Sequence, residues 1–241
     1  MINNIKLVAG FASRDKSDIL SNVLVKNGTM TAQNGLTGIS VSVESDIDFC
    51  CNADRLSVAL NNCQRDNLKL SIKSGKIYIS SGRFKSNIDL LPVENYPIVN
   101  QPEIKTPIHS SILADLNSIS QFTDPNDVRI FIRGVTISSD SLQATNGHVV
   151  IKKDIDPIEI EDTIIPTKSI QLMVKADTII NSISTENNIL FFNFEDGYLF
   201  TRTIDGKMPD ISKIISTIET LTIGIASVIF LFDLDTFTRQ K

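Results

Sequence analysis

The apolar residues of this chain recur with two different periods, one typical of helices and one typical of strands. Over residues 53–63, Leu56, Ala59, Leu60 and Cys63 fall at helical spacing, which predicts an amphipathic helix. Residues 111–122 show the same stripe at Ile112, Leu116 and Ile119. Two further helices are predicted over residues 2–12 and 166–175.

Between these helices, apolar and polar residues alternate. Runs such as LSIKSGKIYIS and VRIFIRGVTIS have a period of two, which is typical of strands with one face in a core. Ser74-Gly75 and Asn146-Gly147 predict hairpin turns, and Asn-Gly favours positive φ at both central positions. Each half of the chain therefore predicts the order helix, strands, helix, strands.

The order of elements repeats at an offset near half the chain length, which indicates an internal repeat. In each half, a helix precedes two strand-like runs that end in similar short segments. Ile88-Asp89 then corresponds to Ile204-Asp205, and Tyr96-Pro97 corresponds to Met208-Pro209. The pattern predicts two copies of one α+β unit.

The predicted linker is residues 101–107, QPEIKTP, because two prolines among polar residues favour an extended path. The first unit then covers residues 1–100 and the second covers residues 108–216. Residues 217–241 form a tail that is either the remnant of a third domain or a segment that completes a sheet edge. We expect residues 220–234 to dock on the first unit, either within the chain or across a subunit interface, because the chain begins almost directly with its first helix and an open sheet edge there would accept a strand.

Composition narrows the class of protein. The 241 residues allow one large domain or two ordinary ones, and the formal net charge of −5 argues against nucleic-acid-binding charge over the whole surface while leaving room for a local basic face. The N-terminus has no secretory-signal pattern, and the apolar stretch 221–234 is shorter than the roughly 20 residues that span a bilayer. Three cysteines without a disulfide or metal pattern fit a reducing cytoplasm.

Catalytic patterns are missing from the sequence. No HExxH, GxSxG or GxxxxGK[ST] motif occurs, and the histidines are His109 and His148. Asp89 and Asp205 occupy corresponding repeat positions, which favours a structural role over an acid/base pair. In a regular strand Cys50 and Cys51 point to opposite faces, which predicts that one of them is buried. We predict no enzymatic activity, no cofactor and no metal site.

Five segments in sequence order carry a family resemblance: SGRFKSNIDLLPVENYPIV in the first half, then DVRIFIRG, LQATNGHVV, IIPTKSIQLM and TIDGKMPDISKII in the second. Together they resemble the first two domains of the bacterial DNA polymerase III beta subunit, the DNA sliding clamp. The resemblance implies an α+β fold, a tandem repeat of clamp domains with two helices packed on antiparallel sheets. It also implies a ring around duplex DNA that tethers a replicative polymerase. The chain would be a shortened family member, of a kind that a phage could encode, without most of a third domain.

The resemblance also implies one half of a groove for a partner peptide, around the turn Thr145-Asn146-Gly147-His148. From the residues alone this segment predicts only a hairpin turn, and Ile132, Val150 and Ile214 are equally well explained as core. The sequence departs from the family at Val149, where the family usually has Arg. The implied groove residues are Ile132, Thr145, Gly147, His148, Val149, Val150, Pro209 and Ile214.

A clamp holds DNA through cations that face phosphates, which gives affinity without reading sequence. By resemblance Arg14 lies in a loop that faces the DNA, and four lysines and arginines lie on or beside the predicted inner helices. Helix 111–122 has no Lys or Arg and contains Asp115, so loose DNA binding is expected. Each cation alone is equally explained as a solvated surface charge. The candidate DNA-binding residues are Arg14, Lys16, Arg55, Lys168 and Lys175.

Rings in this family contain six units, so two units per chain predict a homotrimer. The expected partners are duplex DNA, a DNA polymerase and a clamp loader, with no membrane. One alternative is a truncated clamp relative that does not encircle DNA and instead acts as a decoy for clamp-binding partners. A second alternative is a β-rich structural protein without DNA contact.

Overall fold

A computed structural model describes residues 2–64, 67–209 and 228–231. The chain divides into two compact units, Met1–Gln101 with Glu195–Phe200, and Pro102–Phe194 with Thr201–Lys241. The division in the chain at Gln101 and Pro102 lies at the start of the segment predicted as a linker. The assignment of Glu195–Phe200 to the first unit has no counterpart in the sequence-based prediction.

The first unit packs two described helices on antiparallel strands. Helix α1 buries Ile5 and Val8, and helix α2 buries Leu56 and Leu60, so the predicted apolar stripes form its core. Asn52 caps α2 by accepting a hydrogen bond from the Arg55 amide. The elements are α1 Ile2–Ala9, β1 Asn22–Lys26, β2 Thr29–Gln33, β3 Thr37–Ser42, β4 Phe49–Asn52, α2 Ala53–Asn61, β5 Leu68–Lys73, β6 Lys76–Ser81 and β7 Phe84–Leu91.

The strands of the first unit follow the order β5-β6-β7-β4-β1-β2-β3. Strands β5, β6 and β7 form two successive antiparallel hairpins. Strand β7 pairs with β4 through Leu90 and Leu91, opposite Cys51 and Cys50. Short 3-10 turns at Ile19–Ser21 and Val93–Asn95 lie beside this sheet.

The second unit repeats this arrangement, with Ile112, Leu116 and Ile119 of its first helix buried as predicted. One sheet has the order β12-β9-β10-β11-β16, and strands β15-β14-β13-β8 are also neighbours in that order. The remaining elements of the chain are β8 Thr106–Pro107, α3 Ile112–Ser120, β9 Gly134–Ile137, β10 Ser141–Thr145, β11 Val149–Asp154, β12 Thr163–Pro166, α4 Thr167–Met173, β13 Ser182–Glu186, β14 Ile189–Phe194, β15 Gly197–Arg202 and β16 Val228–Leu231. Of β15, the residues up to Phe200 belong to the first unit.

The internal repeat is visible in the order of elements, with one correction to the predicted correspondence. Cys50 of β4 pairs with Leu91, and Ile164 of β12 forms a bridge with Ile204. Because Cys50 and Ile164 both lie two residues before the end of their strands, Ile204 corresponds to Leu91 and not to Ile88. The predicted equivalence of Asp89 and Asp205 is therefore wrong.

The hairpin turns separate into two kinds. Ser74 and Gly75 both have positive φ, 52° and 71°, as expected of the two-residue turn that joins twisted antiparallel strands. At the turn between β10 and β11 only Gly147 has positive φ, at 93°. The expectation that Asn146 also adopts positive φ is wrong, because its side chain binds the backbone of the next residues.

Two local expectations from strand periodicity are also corrected. The run from residue 128 to 133 is not a strand, since Ile130–Arg133 forms a 3-10 turn and β9 begins only at Gly134. Asp127 accepts a hydrogen bond from the Arg129 amide, which turns the chain before the alternating pattern can pair. Cys50 and Cys51 are both fully buried, because this strand is covered on both faces.

The described part of the tail pairs with the second unit and not with the first, which corrects the predicted docking. Val228–Leu231 forms strand β16, antiparallel to β11, with Leu231 opposite Val149. Strand β11 would otherwise be the outer strand of its sheet, and the free amides and carbonyls of such an edge accept an added strand. The rest of the segment 220–234 lies outside the described residues. Within residues 2–64, 67–209 and 228–231, no helix is long and apolar enough to cross a bilayer.

Candidate functional site

The turn between β10 and β11 is held by its own side chains. Oδ1 of Asn146 accepts hydrogen bonds from the amides of His148 and Val149, both at 3.0 Å. Oγ1 of Thr145 accepts a hydrogen bond from the Gly147 amide at 3.0 Å. These bonds satisfy the amides that the sheet ladder cannot reach at a turn, so the segment has one defined shape.

Arg129 packs against this turn. A Cβ atom at Gly147 would lie 2.6 Å from Nη2 of Arg129, so any other residue at this position would require the guanidinium to shift. Asp127 fixes that guanidinium through two parallel bonds, Nε to Oδ1 at 3.0 Å and Nη2 to Oδ2 at 2.9 Å. The side-chain hydrogen bonds from Arg129 lower the pKa of Asp127 to about 2.

Sequence reasoning did not select Arg129 or Asp127. The one available signal was their spacing in DVRIFIRG, where a carboxylate and an arginine two residues apart can form a local pair. The alternating apolar residues around them predicted a strand instead. The structure thus places a fixed arginine beside the predicted groove residues.

Two apolar members of the predicted groove, Val150 and Ile132, lie below the surface. Val150 is 2% exposed and packs with Met208 and the half-buried Phe131. Ile132 is completely buried. These two side chains would therefore form the floor of a ligand site, unless the residues that cover them move.

The accessible part of the predicted groove is smaller than the full set. His148 and Pro209 are exposed, and Val149 is half-buried. Val128 and Ile130, which flank Arg129 in sequence, keep 86% and 42% of their surface exposed. The structure brings Thr145, Gly147, His148, Val149 and Val150 together on one turn, while Ile214 lies outside the described residues. An apolar surface beside one fixed arginine can bind a peptide that combines apolar and acidic groups.

Strand β16 occupies the backbone edge next to this turn. Its pairing with β11 runs from Val149 to Lys152, so it begins immediately after His148. A partner peptide therefore cannot add to that edge as a strand while β16 is paired. A partner peptide would then be recognised through contacts with the side chains at the turn.

The five predicted DNA-binding cations are all exposed. Arg14 and Lys16 follow α1, Arg55 lies on α2, Lys168 lies on α4, and Lys175 lies in the 3-10 turn Val174–Ala176. None of the five forms an ion pair with another residue of the described ranges. Each is therefore available to a phosphate.

A cleft of about 410 Å³ in the first unit adds a cation that the sequence did not single out. It lies between the end of α1 and the start of α2, with Lys6 and Arg14 among its lining residues together with Ser13 and Ser57. Asp54 also lines it, which reduces its positive charge. Lys6 could have been found from helical periodicity, since it lies opposite the buried Ile5 and Val8.

Asp115, the acidic residue on α3, is neutralised within the second unit. Its Oδ1 accepts a hydrogen bond from Nζ of Lys153, and Oδ2 accepts one from Oγ of Ser111 at 2.7 Å. The carboxylate is 17% exposed. It therefore repels an approaching phosphate less than its sequence position suggests.

The described residues do not form a catalytic or metal-binding arrangement. They contain no group of three or more His, Cys, Asp or Glu side chains that could hold a metal ion. His109 Nδ1 lies 2.8 Å from Oγ of Ser111, and that hydroxyl donates to Asp115, which Lys153 also binds. Burial raises the pKa of Cys50 to about 11, which leaves its thiol protonated and unreactive.

Comparison with solved structures decides the fold. DNA polymerase III subunit beta from Pseudomonas aeruginosa matches 88% of this chain with a TM-score of 0.75 and 20% identity. The Helicobacter pylori beta clamp bound to a DNA ligase peptide also matches 88%, with a TM-score of 0.76 and 18% identity. The Bacillus subtilis DNA polymerase sliding clamp matches with a TM-score of 0.76 and 17% identity.

The chain has the fold of a bacterial sliding clamp. The match spans 65% of the Pseudomonas chain and 66% of the Helicobacter chain. No family sequence model matches the chain, and no curated protein sequence matches it. The predicted α+β clamp fold is thus confirmed.

Proposed function

We propose that this chain is a sliding-clamp subunit that encircles duplex DNA and tethers a replicative polymerase, without chemistry of its own. The observation that supports this most strongly is the clamp fold over 88% of the chain. In each unit, exposed cations lie on or beside the helices, as a loose, sequence-independent hold on phosphates requires. The two units are two clamp-like domains, residues 1–100 and 108–216 with the linker 101–107, and three such chains complete a ring of six.

The proposed partner site is the turn groove: Ile132, Thr145, Gly147, His148, Val149, Val150, Pro209 and Ile214, to which we add Arg129. Its support is the combination of a rigid turn, neighbouring apolar surface and the fixed guanidinium. A clamp of this fold has been solved with a DNA ligase peptide. The same groove would receive the polymerase and, in turn, the clamp loader. The free cysteines Cys50, Cys51 and Cys63 fit action in a reducing cytoplasm.

Topological retention on DNA tests encirclement. The protein is incubated with linear duplex, both ends are then blocked with bulky proteins, and the salt is raised. An encircling ring stays on end-blocked duplex at high salt and leaves after a restriction enzyme opens the DNA. Salt-sensitive loss that does not depend on the end blocks would contradict encirclement.

The decoy alternative has support in β16, which covers an edge of the second unit that would otherwise be open. Native mass distinguishes the two functions. A mass of three chains supports the ring, and a mass of one chain that still captures clamp-binding peptides supports the decoy.

A further inference from the structure

One face of strands β5, β6 and β7 forms a surface that the proposed function does not use. Side chains alternate between the two faces of a sheet, and Ile77, Ile79 and Ile88 lie on the buried face. On the opposite, open face the register aligns the side chains in three rows across the strands, and we call this surface the basic sheet face. The first row is Lys69, Ser80 and Lys85, the second is Ser71, Tyr78 and Asn87, and the third is Lys73, Lys76 and Asp89.

The basic sheet face is positively charged on a chain of net charge −5. It has four lysines and one carboxylate. Asp89 pairs with Lys76, with Nζ 3.0 Å from Oδ1. Lys69, Lys73 and Lys85 are exposed and form no ion pair with any residue in the described part of the chain. A cluster of cations on an acidic protein is suited to a polyanion.

Tyr78 lies at the centre of the face and keeps 40% of its surface exposed. Its cross-strand neighbours are Ser71 and Asn87, which are smaller than the ring and polar. An exposed aromatic ring among cations is the arrangement on which proteins stack the bases of single-stranded nucleic acid. The bases of a duplex are already stacked inside the helix and are not available to such a ring.

The dimensions of the face suit a short stretch of a single strand. Three strands about 4.8 Å apart and rows spaced by two residues give a platform about 10 Å wide and about 13 Å long. Lys69 and Lys85 lie on either side of Ser80 at one end of it, and Lys73 lies at the other. The sugar-phosphate backbone of a single strand that crosses the platform would pass lysines both before and after Tyr78.

We propose that the basic sheet face binds single-stranded DNA, with its lysines on phosphates and Tyr78 stacked on a base. The selection of DNA over RNA rests on the proposed clamp function, whereas the preference for a single strand rests on Tyr78 and the open sheet. The residues of this face are different from Arg14, Lys16, Arg55, Lys168 and Lys175, which are proposed to face duplex DNA.

Fluorescence anisotropy with a labelled thymidine oligonucleotide tests the proposal on the full chain. Tyr78→Ala is expected to weaken binding by about fivefold or more, since it removes a stacking contact, while Tyr78→Phe keeps the affinity. Lys69→Gln with Lys85→Gln is expected to lower the log–log salt slope by about 1.4. The matched control, Lys26→Gln with Lys105→Gln, makes the same change in charge at residues that are not part of the face and is expected to leave binding unchanged.

Several results would overturn the proposal. One is an unchanged affinity for the oligonucleotide in Tyr78→Ala, and another is a loss of affinity in the control pair equal to that in Lys69→Gln with Lys85→Gln. A third is tighter binding of an oligouridine than of the thymidine oligonucleotide. A fourth is binding of anionic vesicles by a chain that does not bind the oligonucleotide. Arg14→Gln with Lys168→Gln is expected to leave oligonucleotide binding intact. The experiments therefore distinguish a protein that does not encircle duplex DNA from one whose basic sheet face does not bind single-stranded DNA.

Discussion

The guanidinium of Arg129 lies against Gly147, so close that a Cβ atom added to Gly147 would be 2.6 Å from Nη2 of Arg129. This contact joins the turn before β9 to the turn before β11. It places a cation that Asp127 already orients beside the residues predicted to bind a partner peptide. Glycine at residue 147 thus permits both the positive φ of the turn and the present position of the arginine.

Gly147→Ala is expected to destabilise the protein more than a glycine replacement at a turn with open space. Gly147 has φ of 93° and faces Arg129, whereas Gly75 has φ of 71° and no atom within 4 Å of an added Cβ. Strain of this backbone type costs about 1–3 kcal/mol, and only residue 147 adds a steric clash. Chemical unfolding of Gly147→Ala and Gly75→Ala provides the comparison, and equal losses would show that the Arg129 contact contributes nothing.

His148→Asp combined with Arg129→Gln is expected to weaken capture of a clamp-binding peptide more than tenfold, about 1.4 kcal/mol. The double variant removes the fixed cation and places a charge on the exposed rim. Ile132→Asp is unsuitable, because Ile132 is fully buried and the change would test folding. Ile179→Asp, at a side chain that is 77% exposed, is the control. Peptide affinity that matches this control would remove the turn groove from the partner site.

Arg14→Gln with Lys168→Gln is expected to flatten the salt dependence of duplex binding by up to about two in the log–log slope, because each phosphate contact contributes about 0.9. Affinity is measured over a range of salt concentrations on two unrelated duplex sequences, which should bind equally. Lys26→Gln with Lys105→Gln again controls for charge. A slope identical to that of the unmodified chain would place Arg14 and Lys168 away from DNA.

The Asp127–Arg129 pair is expected to contribute stability that depends on pH. Arg129 lowers the pKa of Asp127 to about 2, below the value of about 3.9 for an unfolded chain. The contribution is therefore complete above the unfolded pKa and is lost as the pH falls from about 4 to about 2. Asp127→Asn should lower the melting temperature at pH 7 and have a smaller effect at pH 2. Asp156→Asn, an exposed residue, is the control, and a deficit in Asp127→Asn that does not vary with pH would exclude the ion pair as its cause.

A chain that ends at residue 216 is expected to lose protection of the β11 amides, because β16 pairs with Val149–Lys152. Hydrogen exchange on the shortened and full chains measures this, with β14, which lies between β13 and β15, as the internal reference. Equal protection of β11 in both chains would show that β16 does not hold this edge in solution. Native mass of the same two samples shows whether the tail also affects the assembly, for which we predict three chains.

Much of the fold could be predicted from local patterns. The buried stripes of α2 and α3 follow from helical spacing at Leu56, Leu60 and Leu116, and the turn at Ser74-Gly75 follows from the chemistry of glycine. These features depend on neighbours within a few residues, which the sequence shows directly. The clamp fold could be predicted because the resembling segments occur in the same order.

The errors arose where hydrogen bonds from side chains to nearby residues compete with the conformation that a sequence pattern favours. The alternating residues around Ile130 predicted a strand, but the hydrogen bonds of Asp127 to Arg129 form a turn there. The Asn146 side chain binds two amides and prevents the positive φ that Asn-Gly favours. At the candidate groove, the resemblance indicated the turn residues but not the packing of Arg129 on Gly147.

The sequence by itself determined the helices, the positions of two hairpin turns and the repeated order of elements, because periodicity and turn chemistry act over a few residues. Only the tertiary structure decided which sheet edge receives Val228–Leu231, which face of β5 to β7 stays open around Tyr78, and which residues of the groove are accessible. Pairing between strands far apart in the chain and the burial that results depend on competition among many possible partners. Which strands pair is therefore determined only when the whole unit packs.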